Sequence, residues 1–129
     1  MEEATITSIE LAKAAANAID DMKGVDIAII DVSKLLFITD MFVIATGTSN
    51  RQVRSIADEV HVQLKEKHDR MSLRTEGADE AEWVLLDYGE IVVHVFQAGT
   101  RSFYDLERLW ADAPRIPFAA ATQGTSDQL

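Results

Sequence analysis

The chain has 129 residues, 47% of them hydrophobic and 26% charged, which suits one soluble globular domain with a single buried core rather than two domains. Twenty-two acidic against 12 basic residues leave a net charge of −10, which argues against affinity built on neutralising nucleic-acid phosphates. With no cysteine there is no disulfide framework, thiolate nucleophile or zinc ribbon, a composition that fits a reducing cytosol.

The acidic start, MEEATITSIELAK, has neither the basic residues nor the apolar core of a signal peptide, and no apolar run approaches a membrane span. A cytoplasmic protein is expected. Thr7-Ser8-Ile9-Glu10 has capping-box spacing, and Ile9, Ala12, Ala16, Ile19 and Met22 recur at helical intervals before Gly24, predicting a first helix. Val25 to Val32 is short, β-branched and nearly all apolar, which predicts a central strand covered on both faces. Ser33 to Asp40 turns the chain, and Met41 to Thr46 is the second strand. Val53, Ile56, Ala57, Val60 and Leu64 form one stripe on a second helix that ends in KEKHDR. A short strand is expected near Met71 to Arg74.

Glu82 to Gln97 reads as a hairpin turning at Tyr88-Gly89, which sets Trp83 opposite His94 and Asp87 opposite Glu90. Alternation then puts Val84, Leu86, Ile91, Val93 and Val95 on a purely apolar side, and Trp83, Leu85, Asp87, Glu90, Val92, His94 and Phe96 on a mixed one. A final helix follows Gly99-Thr100, with Phe103, Leu106, Leu109 and Trp110 inward and Arg101 four residues before Asp105. Pro114 and Pro117 stop it. The expected architecture is a mixed β-sheet flanked by helices over residues 1–113, with 114–129 a mobile tail.

ATGTSNRQ, from Ala45 to Gln52, joins a strand to a helix N-terminus, where free N–H groups favour an anion. A phosphate loop needs a second glycine followed by lysine, and a dinucleotide site needs three spaced glycines; only Gly47 is present. The turn reads better as Gly47 for the bend, Ser49 as N-cap and Gln52 completing a capping box. A nucleotidyltransferase-like enzyme would add two carboxylates at i and i+2 on a nearby strand to hold metals. Asp87 is available, but its i+2 neighbour is Gly89, so the catalytic pair is missing; Asp31 and Asp40 are as easily strand-end turn residues. His61, His68 and His94 show no metal-ligand spacing, and no serine–histidine–aspartate order is readable. No metal, no cofactor and no catalytic residue is expected.

Trp83, Asp87, Tyr88 and His94 remain as a semi-exposed aromatic and acidic cluster in a strongly acidic chain. Large aromatics beside carboxylates suit an interface with a basic protein; the alternatives are that Trp83 is core beneath a helix and that the acidity only confers solubility.

TDMFVIATGTSNRQVRSIADEV, the Glu76-Gly77 pair, WVLLDYGEIVVHVF and RSFYDLERLW resemble, in order, the signature blocks of the ribosomal silencing factor family, also called RsfS or Iojap. The likeness runs from Leu11 to Asp112. It implies a nucleotidyltransferase-like fold without the catalytic carboxylates, and a non-enzymatic factor that binds the large ribosomal subunit at its interface-side protein numbered fourteen. Such a factor blocks joining of the small subunit and represses translation when nutrients are scarce. The resemblance also implies a binding motif at Trp83, Asp87 and Tyr88, with Glu76, Ser49, Arg51 and His94 as neighbours, and homodimer formation. Arg101 and Tyr104, in the last block, could equally brace the fold.

Overall fold

Thr7 opens the first helix, α1 (Ser8–Asp21). Its hydroxyl accepts from Glu10 N while the Glu10 carboxylate accepts from Thr7 N, the reciprocal cap that the spacing predicts. The computed structural model describes residues 6–118. Leu11, Ala12, Ala15, Ala16, Ala18 and Ile19 make the buried stripe of α1, and Ile9 lies outside it, 40% exposed.

One mixed sheet of six strands follows: β1 (Val25–Asp31), β2 (Met41–Gly47), β3 (Arg74–Glu76), β4 (Trp83–Asp87), β5 (Ile91–Gln97) and β6 (Arg115–Ile116), in the order β3-β4-β5-β2-β1-β6. β2 and β5 run parallel at its centre, and the other neighbouring pairs are antiparallel. β1 is therefore not central. It lies second from an edge, covered there by the two residues of β6, and a bulge at Asp26 (φ 52°) shifts its register against β2. The pairing of Arg115 and Ile116 also carries the folded unit past residue 113; the rest of the expected mobile tail, 119–129, lies outside the described residues. The short third strand falls at Arg74–Glu76, two to three residues later than the sequence suggests.

α2 (Asn50–His68) packs beside α1 on one face of the sheet, burying Val53, Ile56, Ala57, Val60 and Leu64 as the stripe predicts. Val84, Leu86, Ile91, Val93 and Val95 meet these helices and are fully buried, so the apolar side of the hairpin was read correctly. Its register was not. Tyr88 N bonds to Ile91 O, the turn is Gly89-Glu90, and Trp83 pairs with Phe96, Leu85 with His94 and Asp87 with Val92. Gly89 (φ 93°) is the first turn residue, where a tight II′ hairpin requires glycine.

The predicted last helix is broken. Asp105, in the left-handed region at φ 49° and ψ 55°, separates α3 (Ala98–Tyr104) from α4 (Leu106–Leu109). Leu106 and Trp110 pack on a second, smaller core of Ile30, Val32, Phe42, Ile44, Phe96 and Ala113, on the sheet face away from α1 and α2. Phe103 and Leu109 point the other way, because the break rotates one short helix against the other; they are 80% and 69% exposed. Among the described residues, no helix is long and apolar enough to cross a membrane.

Candidate functional site

The registers lay out the second sheet face in rows: Asp87, Val92, Phe42 and Ile30; then Leu85, His94, Ile44 and Ala28; then Trp83, Phe96 and Thr46. Residues directly opposite each other point to the same side, so Arg74 and Glu76 of β3, paired with Asp87 and Leu85, extend two of these rows to the edge. α3 and α4 cover the β1–β2 side. Among the described residues the β3–β4 side is left open, with Trp83, Leu85, Asp87 and Val92 half-buried and Arg74 and Glu76 exposed.

The open region is held in one arrangement by its polar groups. Arg74 forms ion pairs with both neighbouring carboxylates, Nη1 2.8 Å from Glu76 Oε2 and Nε 3.4 Å from Asp87 Oδ2, while Asp87 Oδ1 accepts from Gly89 N at 2.9 Å. Glu76, Gly77, Trp83 and Leu85 line a small cleft of about 230 Å³. Beside it runs an exposed acidic segment with Asp79, Glu80 and Glu82, fixed to the start of α2: Asn50 Nδ2 donates to Glu80 O, and Arg54 donates to the carbonyls of Ala78 and Asp79. Through that segment the N-terminal turn of α2, which carries the exposed Ser49 and Arg51, borders the same area.

Trp83 and His94 touch although they are diagonal rather than opposite. Trp83 Nε1 donates to His94 Nδ1 at 3.1 Å, and the imidazole is enclosed by Phe42, Trp83 and Phe96. Burial pushes the His94 pKa down to about 4, and its Nε2 has no hydrogen-bond partner among the described residues. His94 thus supports Trp83 from beneath; it is 4% exposed, not the semi-exposed residue expected.

Tyr88 also departs from expectation. With the turn at Gly89-Glu90, Tyr88 continues the alternation of Val84 and Leu86 and points under α2, 2% exposed, its hydroxyl 3.0 Å from His61 Nδ1. Burial pushes its phenol up to about 12 and holds His61 below the usual range. Of the seven expected site residues, the structure brings Trp83, Asp87 and Glu76 together on one surface, with His94 below them, Ser49 and Arg51 at a margin, and Tyr88 on the opposite face. Sequence reasoning missed Arg74, whose pairing with Asp87 depends on strand register. It assigned Leu85 and Val92 to the mixed face without giving them a role.

The strand-to-helix turn is occupied from within. A Cβ on Gly47 would stand 2.9 Å from the Val53 side chain, so glycine lets β2 end against α2. Ser49 Oγ accepts from Gln52 N, as an N-cap should. Gln52 does not complete the predicted box; its carbonyl accepts from Thr48 N and Thr48 Oγ1, and its amide nitrogen reaches the carbonyls of Met22 and Lys23. The threonine hydroxyl at the end of β2, Thr46 Oγ1, accepts from Arg101. Asp87 is engaged as above, and Glu90 is ion-paired to Arg70, which holds its carboxyl below the usual range.

A family model described as ribosomal silencing factor during starvation matches residues 5–128. A ribosomal silencing factor RsfS from Bacillus subtilis is 45% identical over 102 residues, covering 79% of this chain and 86% of that protein. One from Chromobacterium violaceum is 45% identical over 101 residues, covering 78% and 82%. A crystal structure of a Chromobacterium violaceum protein superposes with a TM-score of 0.79 at 41% identity, covering 91% of this chain and 98% of that one. The chloroplastic protein Iojap of Zea mays is 31% identical over 118 residues, though these span only 48% of it. With a match along nearly its whole length, at this identity and with the same fold, the chain belongs to the ribosomal silencing factor family.

Proposed function

We propose that this protein binds the large ribosomal subunit at its interface-side protein numbered fourteen, blocks joining of the small subunit, and so represses translation under nutrient limitation. Family membership supports the silencing role. The observation that carries the mode of action is the open half of the second sheet face, where Trp83, Leu85 and Val92 lie among Glu76, Asp87 and the acidic segment at 79–82. An aromatic centre supplies burial, and the surrounding carboxylates steer and pair with a basic ribosomal protein.

The chain needs no chemistry for this task and acts as a non-enzymatic cytoplasmic factor. A rigid domain on the face where two large bodies must meet need only occupy space, and an interface of roughly 1,600 Å² in total can hold it. Trp83, Asp87 and Glu76 are the contacting residues in this reading, with Ser49 and Arg51 at the rim. His94 acts through Trp83, and Tyr88 acts through the core. The nucleotidyltransferase-like ancestry belongs to the same reading, as an architecture whose carboxylate pair is replaced by Asp87 and Gly89. Two copies pairing through an exposed surface would give a homodimer. The proposal predicts no direct nucleic-acid contact.

A sucrose-gradient reassociation assay with purified subunits tests both halves. The protein is expected to travel with free large subunits and to prevent formation of the joined particle, and Trp83→Ala is expected to lose both effects while keeping its circular dichroism. Unchanged binding and blocking by the folded Trp83→Ala protein would refute the placement of the site.

A further inference from the structure

α3 and α4 have seven and four residues, too few to be stable alone, and they are interrupted at Asp105. Arg101 holds them. Its guanidinium donates to both carboxylate oxygens of Glu107 at 3.1 and 2.8 Å, to Asp26 O at 2.6 Å and to Thr46 Oγ1 at 2.8 Å, and its side chain is 13% exposed. Arg101 thereby holds the Glu107 carboxyl well below the usual range. One side chain ties α3 to α4 across the break, and both to the β1 bulge and the end of β2.

On the outer side of this clasp the two short helices present Phe103 and Leu109, which border a shallow cleft of about 550 Å³ with Tyr104 and Arg108. Tyr104 packs on Trp83 with ring centroids 4.7 Å apart and meets Phe103 edge-on at 5.0 Å. The apolar surface is therefore continuous from the open sheet face, through Tyr104, to Phe103. Carboxylates border it at both ends, Glu76 in the cleft with Trp83 and Leu85, and Asp105 in the cleft with Phe103 and Leu109.

We propose that α3 and α4 form a second wall of the docking face, offering Phe103 and Leu109 to apolar side chains of the same basic protein partner, and that Arg101 is the positioning residue of that wall. This rests on the docking reading above. A segment braced by four hydrogen bonds presents Phe103 and Leu109 in a set position beside Tyr104, which itself packs on Trp83; a loose segment would first have to be ordered.

The test is co-sedimentation of the full chain with purified large subunits, together with urea unfolding. Phe103→Ser and Leu109→Ser, at exposed positions, leave the urea midpoint unchanged and weaken binding about tenfold each. Arg101→Gln weakens it by a similar factor, Arg101→Lys restores little because it lacks the fork, and the loss vanishes in the Phe103→Ser/Leu109→Ser background, where nothing remains to be positioned. If Arg101→Gln does not fold, Thr46→Val, which removes one bond of the clasp, is measured in the same cycle. Full binding by Phe103→Ser/Leu109→Ser beside a defective Trp83→Ala overturns this inference and leaves the docking reading intact. A loss from Arg101→Gln or Thr46→Val that persists undiminished in the double background overturns the positioning role. A wild-type chain that never travels with large subunits overturns both the reading and the inference.

Discussion

His94 offers a direct handle on the proposed docking face, because its Nδ1 must stay unprotonated to accept from Trp83 Nε1. A histidine in an unfolded chain titrates near 6.5, and burial among Phe42, Trp83 and Phe96 lowers the folded value to about 4. The folded pKa is depressed, so the neutral ring contributes fully above the unfolded value. Stability is lost as pH falls from about 6.5 toward 4, where the unfolded chain takes up a proton that the folded one refuses. Linkage over that gap amounts to about 3 kcal/mol in all, of which about 2 kcal/mol is lost between pH 7 and pH 5.

Urea unfolding at pH 7, 6 and 5, for the wild type and for His94→Gln, measures it. The glutamine keeps an acceptor for the indole and removes the titration. His61, also lowered by burial, acts in the same direction in both proteins and cancels in the difference. The carboxylates of Glu90 and Glu107 are held below their usual range and lose their contribution only at lower pH. The wild type is expected to lose about 2 kcal/mol more than the variant over this interval, with Trp83 fluorescence changing in parallel. Equal losses in the two proteins would mean that the imidazole is not held neutral by the sheet, and the account of how Trp83 is supported would fail with it.

Gly77→Ala is expected to cost about 3 kcal/mol, since a Cβ there would stand 2.0 Å from Trp83 O at a φ of 83°; a urea midpoint close to wild type would refute the steric reading. Asp87→Lys removes the acceptor for Gly89 N and reverses the charge beside Arg74, so it should abolish co-sedimentation with large subunits for about 1 kcal/mol of stability. Tyr88→Phe should cost about 1 kcal/mol through the lost contact with His61 and leave partner binding unchanged; weakened binding by a fully folded Tyr88→Phe would return Tyr88 to the surface site. A nucleoside triphosphate with Mg²⁺ should leave the thermal midpoint unmoved, and Ser49→Ala should lower stability by about 1 kcal/mol as a lost cap; nucleotide protection would revive the enzymatic alternative.

Local signals made much of this fold legible. The cap at Thr7, the stripe from Val53 to Leu64 and the strand-to-helix turn at Gly47 and Ser49 each depend on residues within one or two turns of one another. The hairpin faces were assigned correctly despite a wrong turn, because the actual register differs by two residues and a slip of two preserves alternation. Tyr88 was misplaced for the same reason: moving the turn forward by one residue turns a tip residue into a strand residue facing the core. The off-centre position of β1 is hidden in the sequence, since the strand outside it, β6, has two residues and no pattern of its own. The spacing of Phe103, Leu106, Leu109 and Trp110 resembles a single helical face only while the helix is continuous, and the left-handed Asp105 breaks it. Arg101 was matched to Asp105 by the i,i+4 rule, whereas the break brings Glu107, six residues away, into its fork.

The open sheet face proposed for docking is a consequence of unequal cover. α1 and α2, with 14 and 19 residues, span one side of the sheet, and the other side receives two helices of seven and four. Such short helices span β1, β2 and β5 and reach β4 only where Tyr104 packs on Trp83, so among the described residues the far rows on β3 and β4 carry no further cover. β4 records this in its alternation, with Val84 and Leu86 fully buried under helices and Trp83, Leu85 and Asp87 half-buried on the opposite side. The bare rows are not loose. Arg74 is ion-paired with Glu76 and Asp87, Asp87 accepts from the Gly89 amide, the acidic segment is tied to α2, and Trp83 is held by His94 and Tyr104. Under the proposed mode of action, a factor that works by occupying space would gain from such bracing, because side chains already ordered in the free protein lose little entropy on docking, and the contact energy goes into holding the partner.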